Sequence, residues 1–293
     1  MIDELNRVRE CFYFKRLRYR VERILSCSLP PDTRRAESDF EHLQNKLKPL
    51  PEYGYDEVSC WRRACERFDR LLSCDGFDRA GKRLFDLGCG DGMLGVVTKA
   101  YGHQVVLADA TDWRDSRAKG IQFLSIDAST PVWPVENETF DMVTCYNTFE
   151  HLPKPDIAFQ EMLRICSPGG FVVVDFGPLY CSPWGLHAHR TLHIPFPQFL
   201  FGEGFIAERL NERGIKDLGQ ERESLQYTNR WTPEQFESLW RNFGSVIVVV
   251  EKCVEQKPLF LETIVAYPEA FYGRGLSLAD VETQHIRVVF QKK

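Results

Sequence analysis

The segment Arg83-Leu84-Phe85-Asp86-Leu87-Gly88-Cys89-Gly90-Asp91-Gly92 constrains this chain more than any other. Apolar residues flank Asp86 in a short run of strand character, and glycines then fall at alternate positions. Glycine enters left-handed backbone without a Cβ penalty, so such a run turns tightly and approaches a ligand closely. From Met93 to Tyr101 the spacing becomes helical, and Gly102 ends it. A strand, a glycine-rich turn and a helix in this order make a nucleotide-type site, because the helix N-terminus offers unpaired N–H groups.

The same rhythm continues. Gln104–Ala108, Ile121–Ile126 and Phe140–Cys145 read as strands, Pro155–Cys166 as a helix and Ser167–Gly170 as a turn, with Phe171–Phe176 the fifth strand. Short apolar strands alternating with helices predict an α/β fold, a doubly wound, mostly parallel sheet covered on both faces. Helices are expected at 5–25, 38–47 and 56–72, the last with Asp56 as N-cap. Thr232-Pro233-Glu234-Gln235 opens a further helix, and Ser245–Cys253 and His285–Phe290 are the last two strands. The expected organisation is an N-terminal helical segment or cap over residues 1–80 and a ligand-binding domain over 81–293. That domain carries insertions at 178–230, a substrate lid, and at 254–280. Insertions after the carboxyl end of a strand overlie the ligand crevice of such a sheet. Trp184, Phe196, Phe199, Phe201 and Trp231 are therefore expected to line an apolar acceptor pocket or to form a satellite core. Chain order also places Tyr53 and Tyr55 near the crevice.

Charge narrows the ligand. A net charge of -5 and a pI near 5.9 argue against nucleic-acid binding. No apolar run reaches membrane-spanning length, and the N-terminus lacks the layout of a signal peptide. Ten cysteines without a CxxC pair read as small buried thiols of a cytoplasmic, reducing compartment. Arg7, Arg9, Lys15, Arg16, Arg18, Arg20 and Arg23 make the first helix basic. This is expected to be a solvated face, with contact to an anionic ligand or membrane surface as the other reading.

Gly90–Gly95 also matches GxGxxG, so the glycines alone leave a dinucleotide open. Asp86 and Asp91 would repel a pyrophosphate, whereas they suit the ammonium and sulfonium of S-adenosylmethionine (SAM). Two unit charges about 4 Å apart at an effective dielectric of about 20 interact by roughly 4 kcal/mol before desolvation. The second strand ends at Asp109, where a carboxylate accepts from ribose hydroxyls. The third ends at Asp127-Ala128, where one accepts from an adenine amino group.

With these residues in place, Lys82–Gly177 resembles the class I SAM-dependent methyltransferase family. The resemblance rests on the glycine segment, Asp109, Asp127, Phe140-Asp141-Met142-Val143, Glu150-His151-Leu152 and Leu163–Gly170. It implies a seven-stranded sheet with an antiparallel last strand. It further implies that Asp86, Gly88, Cys89 and Gly90 surround the methionine part of SAM, that Asp109 holds the ribose and Asp127 with Ala128 the adenine, and that Asn147 lines the methyl-transfer face.

The expected reaction is O-methylation of a small molecule such as a sugar or secondary metabolite, in which the protein chiefly positions the acceptor. A hydroxyl acceptor needs a base. His151, His187 and His189 are the candidates, with local helix capping the other reading for Glu150-His151. His187, His189 and His193 form an HxHx3H pattern without a completing thiolate or carboxylate, so no metal is expected. The alternatives are N-, C- or macromolecule methylation, a non-catalytic SAM-binding scaffold, and a dinucleotide oxidoreductase. Tyr146-Asn147-Thr148-Phe149 departs from the Asn-Pro-Pro-Tyr of nucleobase and glutamine methyltransferases. A homodimer is a further expectation.

Overall fold

The structure, a computed structural model, describes residues 2–49, 54, 56–217 and 220–293, without the side chains of 2–11, 217, 220 and 221. Tyr53 and Tyr55, and the side chains of Arg7 and Arg9, thus lie outside the described residues. Two compact units are present. One contains residues 54–177, 227–254 and 285–293, and the other 1–53, 178–226 and 255–284.

The first unit holds the sheet. β1 (Arg83–Leu87), β2 (Gln104–Asp109), β3 (Gln122–Ser125), β4 (Phe140–Tyr146) and β5 (Cys166–Phe176) follow one another. Two later strands complete the sheet, and with the hairpin β6 (Ile215–Asp217) and β7 (Gln220–Arg222) between them and β5 they are β8 (Ile247–Gln256) and β9 (Thr283–Lys292). The strand order is β3-β2-β1-β4-β5-β9-β8. β1 to β5 pair in parallel, and β9 runs antiparallel to β5. The order reverses between β1 and β4, the switch point at which doubly wound sheets open a crevice beyond their carboxyl ends. The expected turn at 167–170 is instead the first part of β5, and the β4–β5 register shifts between Phe140 and Met142 to absorb it.

Helices cover both faces. In chain order the helices of the two units are α1 (Ile2–Leu25), α2 (Arg34–Ser38), α3 (Phe40–Lys46), α4 (Glu57–Leu71), α5 (Met93–Ala100), α6 (Pro155–Ile165), α7 (Pro197–Leu200), α8 (Glu203–Arg213), α9 (Pro233–Asn242), α10 (Leu261–Ala266) and α11 (Leu278–Glu282), of which α4, α5, α6 and α9 belong to the sheet unit. The Asp56 side chain caps α4 by accepting from the Ser59 N–H, and Thr232 with Gln235 forms a capping box on α9. α4 belongs to the sheet unit and sets Phe68 and Leu71 against Leu84, Met142, Tyr146, Val173 and Val289. On the other face Phe159 of α6 lies 4.7 Å from Trp240 of α9, and Trp240 5.0 Å from Phe290 of β9, ring centre to ring centre. Phe236 of α9 sits 4.8 Å from Phe176 at the end of β5. Each buried ring contributes about 1.5–3 kcal/mol of burial, and each pair about 0.5–1.5 kcal/mol more. These layers hold the strand ends, and hence the site, in place.

The second unit has its own core. Leu17, Val21 and Leu25 of α1 are buried with Leu261 and Ile264 of α10 and Val281 of α11. The helix expected at 38–47 is α3, preceded across Asp39 by the short α2, and the Asp39 carboxylate accepts from the Tyr267 hydroxyl at 3.0 Å. Phe196, Phe199 and Phe201 are buried core residues here, and Phe201 stacks 5.4 Å from Phe205. Trp231 belongs to the sheet unit and packs on Phe236. Arg16, Arg18, Arg20 and Arg23 are exposed on α1, and Arg18 pairs with Glu282 at 2.7 Å. Among the described residues, no helix is long and apolar enough to cross a membrane.

Candidate cofactor and methyl-transfer site

The site grows from the carboxyl ends of β1, β2, β3 and β4. Asp86 is 3% exposed, and its Oδ1 accepts from the Thr144 hydroxyl of the neighbouring strand at 2.7 Å. Residues 86 and 144 are register partners, so they share a face of the sheet. Burial pushes the Asp86 carboxyl up to about 7, against the opposing pull of the Thr144 bond and the Arg67 charge. A buried carboxyl so poorly compensated gains from an added cation.

Beyond Asp86 the backbone turns through Gly88 and Gly90, at φ 68° and 52°. A Cβ on Gly88 would lie 2.2 Å from Thr148 Oγ1, whereas one on Gly90 would meet nothing within 4 Å. The first glycine is therefore demanded by packing, and the second faces open space. The Gly90 N–H donates to Asp109 Oδ2 at 3.1 Å, and the Ala110 N–H to Asp109 Oδ1 at 2.8 Å. Burial raises the Asp109 carboxyl even so. Asp91 Oδ1 accepts from the Met93 N–H at 3.0 Å, and Arg63 of α4 reaches Asp91 Oδ2 at 3.4 Å. A carboxylate thus occupies the helix N-terminus that a pyrophosphate would need. Cys89 is buried, and its thiol is held well above the ordinary range by that burial.

Asp127 follows β3 on the surface. Its Oδ1 accepts from the N–H and hydroxyl of Ser129 at 2.9 and 2.7 Å, which holds the carboxyl below its usual value. Ala128 beside it is buried. Asn147 follows β4 with an exposed side chain at φ 46°, a backbone region uncommon outside glycine. Its N–H donates to the Asp175 carbonyl at 2.8 Å, and Thr148 ties this turn to the Gly88 carbonyl at 3.3 Å. Strain of this kind collects at functional loops.

The three expected histidines belong to two units of the chain. His151 is in the sheet unit, whereas His187 and His189 are in the other. Nδ1 of His151 lies 2.6 Å from the Tyr227 carbonyl, and its Nε2 lies 3.8 Å from Oε1 of Glu150. Glu150 is buried, accepts from the Gly177 N–H at 3.2 Å, and has its carboxyl raised by burial. Neither residue caps α6, whose N-cap is Lys154. In the second unit His187 Nε2 faces the Pro178 carbonyl at 2.9 Å, and the His189 ring meets Trp184 edge-on at 6.0 Å.

Four residues that the sequence reading passed over belong with this site. Arg63 and Arg67 project from α4, and the Arg67 guanidinium lies 5.0 Å above the Tyr146 ring. Asp175 ends the run Val172-Val173-Val174, and it bonds His285 at the start of β9. A charged residue inside an apolar strand was the signal for Asp175. Nothing in local sequence pairs it with a histidine 110 residues away.

Residues 57–249 match a family model described as a methyltransferase domain. The chain is 32% identical over 143 residues to the demethylmenaquinone methyltransferase of Thermus thermophilus, covering 45% of this chain and 65% of that one. It is 33% identical over 101 residues to the ubiquinone biosynthesis O-methyltransferase of Xanthomonas oryzae pv. oryzae, covering 32% and 42%. The chain therefore spans about half the length of the curated relatives it matches. A solved structure, an S-adenosylmethionine dependent methyltransferase from Mesorhizobium loti, is 17% identical with a TM-score of 0.44, covering 76% of this chain and 96% of its own. The family match alone covers more than half of the 293 residues, and this chain accordingly belongs to the methyltransferase-domain family, the class I SAM-dependent methyltransferases.

Proposed function

We propose that this protein transfers the methyl group of SAM to an oxygen of a small molecule. The observation that carries the reading is Asp86, a buried carboxyl at the tip of β1 raised to about 7. It is one of three acidic side chains, with Asp109 and Asp127, at successive strand ends. Asp86 suits the ammonium of the amino-acid end. Arg67, which no carboxylate bonds among the described residues, suits its carboxylate. Asp109, whose two oxygens accept from the Gly90 and Ala110 N–H groups, suits the ribose hydroxyls with its remaining lone pairs. Asp127 keeps Oδ2 for the adenine amino group while Ser129 holds Oδ1. Bound SAM supplies an electrophilic methyl carbon on a sulfur that leaves readily as a thioether. The protein's work is then to orient the acceptor, exclude water and take a proton.

The oxygen assignment draws support from the Xanthomonas relative, which is named as an O-methyltransferase. The Thermus relative is named for demethylmenaquinone. The test is thermal unfolding with SAM, S-adenosylhomocysteine and NAD, followed by methyl transfer to hydroxyl acceptors. A ligand at 100 times its dissociation constant stabilises the fold by about 2.7 kcal/mol. Stabilisation by the first two ligands and not by NAD supports the reading. Its absence with saturating SAM overturns it.

A further inference from the structure

We propose that His285, held by Asp175, is the general base that takes the proton of the acceptor hydroxyl. The proposal rests on the methyl-transfer reading above and names a residue for it.

β5 and β9 are antiparallel, with Asp175 opposite Arg287. His285 is therefore the diagonal neighbour of Asp175 on the same face of the sheet. Nε2 of His285 bonds Oδ1 of Asp175. Oδ2 accepts from Arg70 Nη1 at 3.1 Å, and Arg287 Nε lies 3.6 Å from the same oxygen. Burial pushes the Asp175 carboxyl up, but His285, Arg70 and Arg287 together hold it below its ordinary value, so it stays ionised.

An ionised carboxylate only accepts. The proton of the neutral imidazole therefore sits on Nε2, and the lone pair is left on Nδ1. Among the described residues Nδ1 of His285 has no hydrogen-bond partner, and the side chain is 31% exposed. His151 differs, since both of its ring nitrogens face other groups. The third histidine of the unit, His103, is buried in the core with its ring stacked 4.5 Å from Phe77.

The surroundings suit a base. Arg67 and Arg70 face this edge from α4, Tyr146 from β4, Arg287 from β9 with Glu251 of β8 bonded to it at 2.8 Å, and Glu150 from the turn after β4. Two guanidinium groups share the charge of Asp175. The same carboxylate still stabilises the imidazolium once it forms. The dyad stands at the carboxyl edge of the sheet, next to the turn of Asn147, whose N–H bonds the Asp175 carbonyl.

In the step, the acceptor oxygen forms the new O–C bond with one of its own electron pairs and passes its proton to Nδ1 of His285. The pair of the broken C–S bond stays on the departing thioether. The imidazolium, held against Asp175, then releases the proton to water. Asp175 is a positioning residue and His285 the catalytic one.

The test uses two readouts on the full chain. Nitrogen-15 long-range spectra of the imidazoles, assigned through His285→Gln, report the tautomer without any acceptor. The expected result is that the ring in its neutral form carries its proton on Nε2, and Asp175→Asn should redistribute that proton. In parallel, methyl-labelled SAM is offered with catechol, hydroquinone and methyl glucoside. His285→Gln should lower kcat roughly 10²–10⁴-fold while retaining the SAM-induced thermal shift, and raising the pH should recover part of the loss. A ring that stays charged up to about pH 9, or unprotonated Nε2 at neutral pH, overturns the proposal. So does His285→Gln turnover within about threefold of wild type. A wild type that binds SAM yet methylates none of the three probes counts against the oxygen reading, while the spectra still decide the dyad.

Discussion

The Thr144 hydroxyl donates to Oδ1 of Asp86 over 2.7 Å, from one buried strand to the next. That bond is the carboxyl's chief compensation for burial, and it falls short, since the group is raised to about 7. The folded state of an acid raised in this way binds an extra proton between its unfolded value, about 4, and 7. Its contribution to stability is present in full below about pH 4 and is lost as the pH rises through 7. A bound ammonium restores it. SAM should therefore bind more tightly at pH 8 than at pH 6, by up to about tenfold, with proton release near pH 6.5 and none near pH 8.5. Titration calorimetry in buffers of different ionisation enthalpy reads this directly. Affinity independent of pH would remove Asp86 from the ammonium site.

Replacing that donor isolates its share. Thr144→Val keeps the shape and deletes the hydroxyl. Urea unfolding near pH 8, where Asp86 is ionised, should lose about 1.5–3 kcal/mol. Near pH 6, with the carboxyl protonated, the loss should shrink to about 1 kcal/mol.

Gly88 and Gly90 should respond differently to one added methyl. Gly88→Ala meets both a left-handed φ and Thr148 Oγ1 at 2.2 Å, so it should cost about 2–4 kcal/mol. Gly90→Ala meets only the φ penalty, about 1 kcal/mol, because the space beside it is open. Its effect should appear instead as weaker SAM binding. Equal losses of stability, with SAM affinity intact in Gly90→Ala, would mean that the open space is not the ligand's.

Asp109→Ala should abolish most of the SAM-induced rise in melting temperature. The apoprotein should lose about 1 kcal/mol through the unpaired Gly90 N–H. Retained stabilisation by SAM in this variant would move the ribose contact elsewhere.

The aromatic layer behind the site can be checked without any ligand. Trp240→Ala removes a ring in contact with Phe149, Phe159 and Phe290. It should destabilise the fold by about 3–5 kcal/mol in urea. A loss below about 1 kcal/mol would mean that α9 does not pack as described.

Local chemistry made much of this protein readable. The strand–glycine–helix run around Asp86 and Gly90 is dictated within a few residues by backbone freedom and apolar alternation. The caps at Asp56 and Thr232 follow from side chains reaching their own next turn. Where short range misled, packing had decided. Residues 167–170 carry turn chemistry yet join β5, because the shifted register beside β4 accommodates them. The aromatics Phe196, Phe199 and Phe201 suit a lid as well as a core, and burial against residues far along the chain makes them core.

The sequence by itself determined the strand ends at which Asp86, the glycines, Asp109 and Asp127 stand, since each follows from a short local apolar run. Only the tertiary structure decided which histidine has a carboxylate behind it. Asp175 and His285 are 110 residues apart, and their pairing exists because β9 returns antiparallel to β5 in one register. A register between distant strands is set by the packing of whole faces, and no local spacing records it.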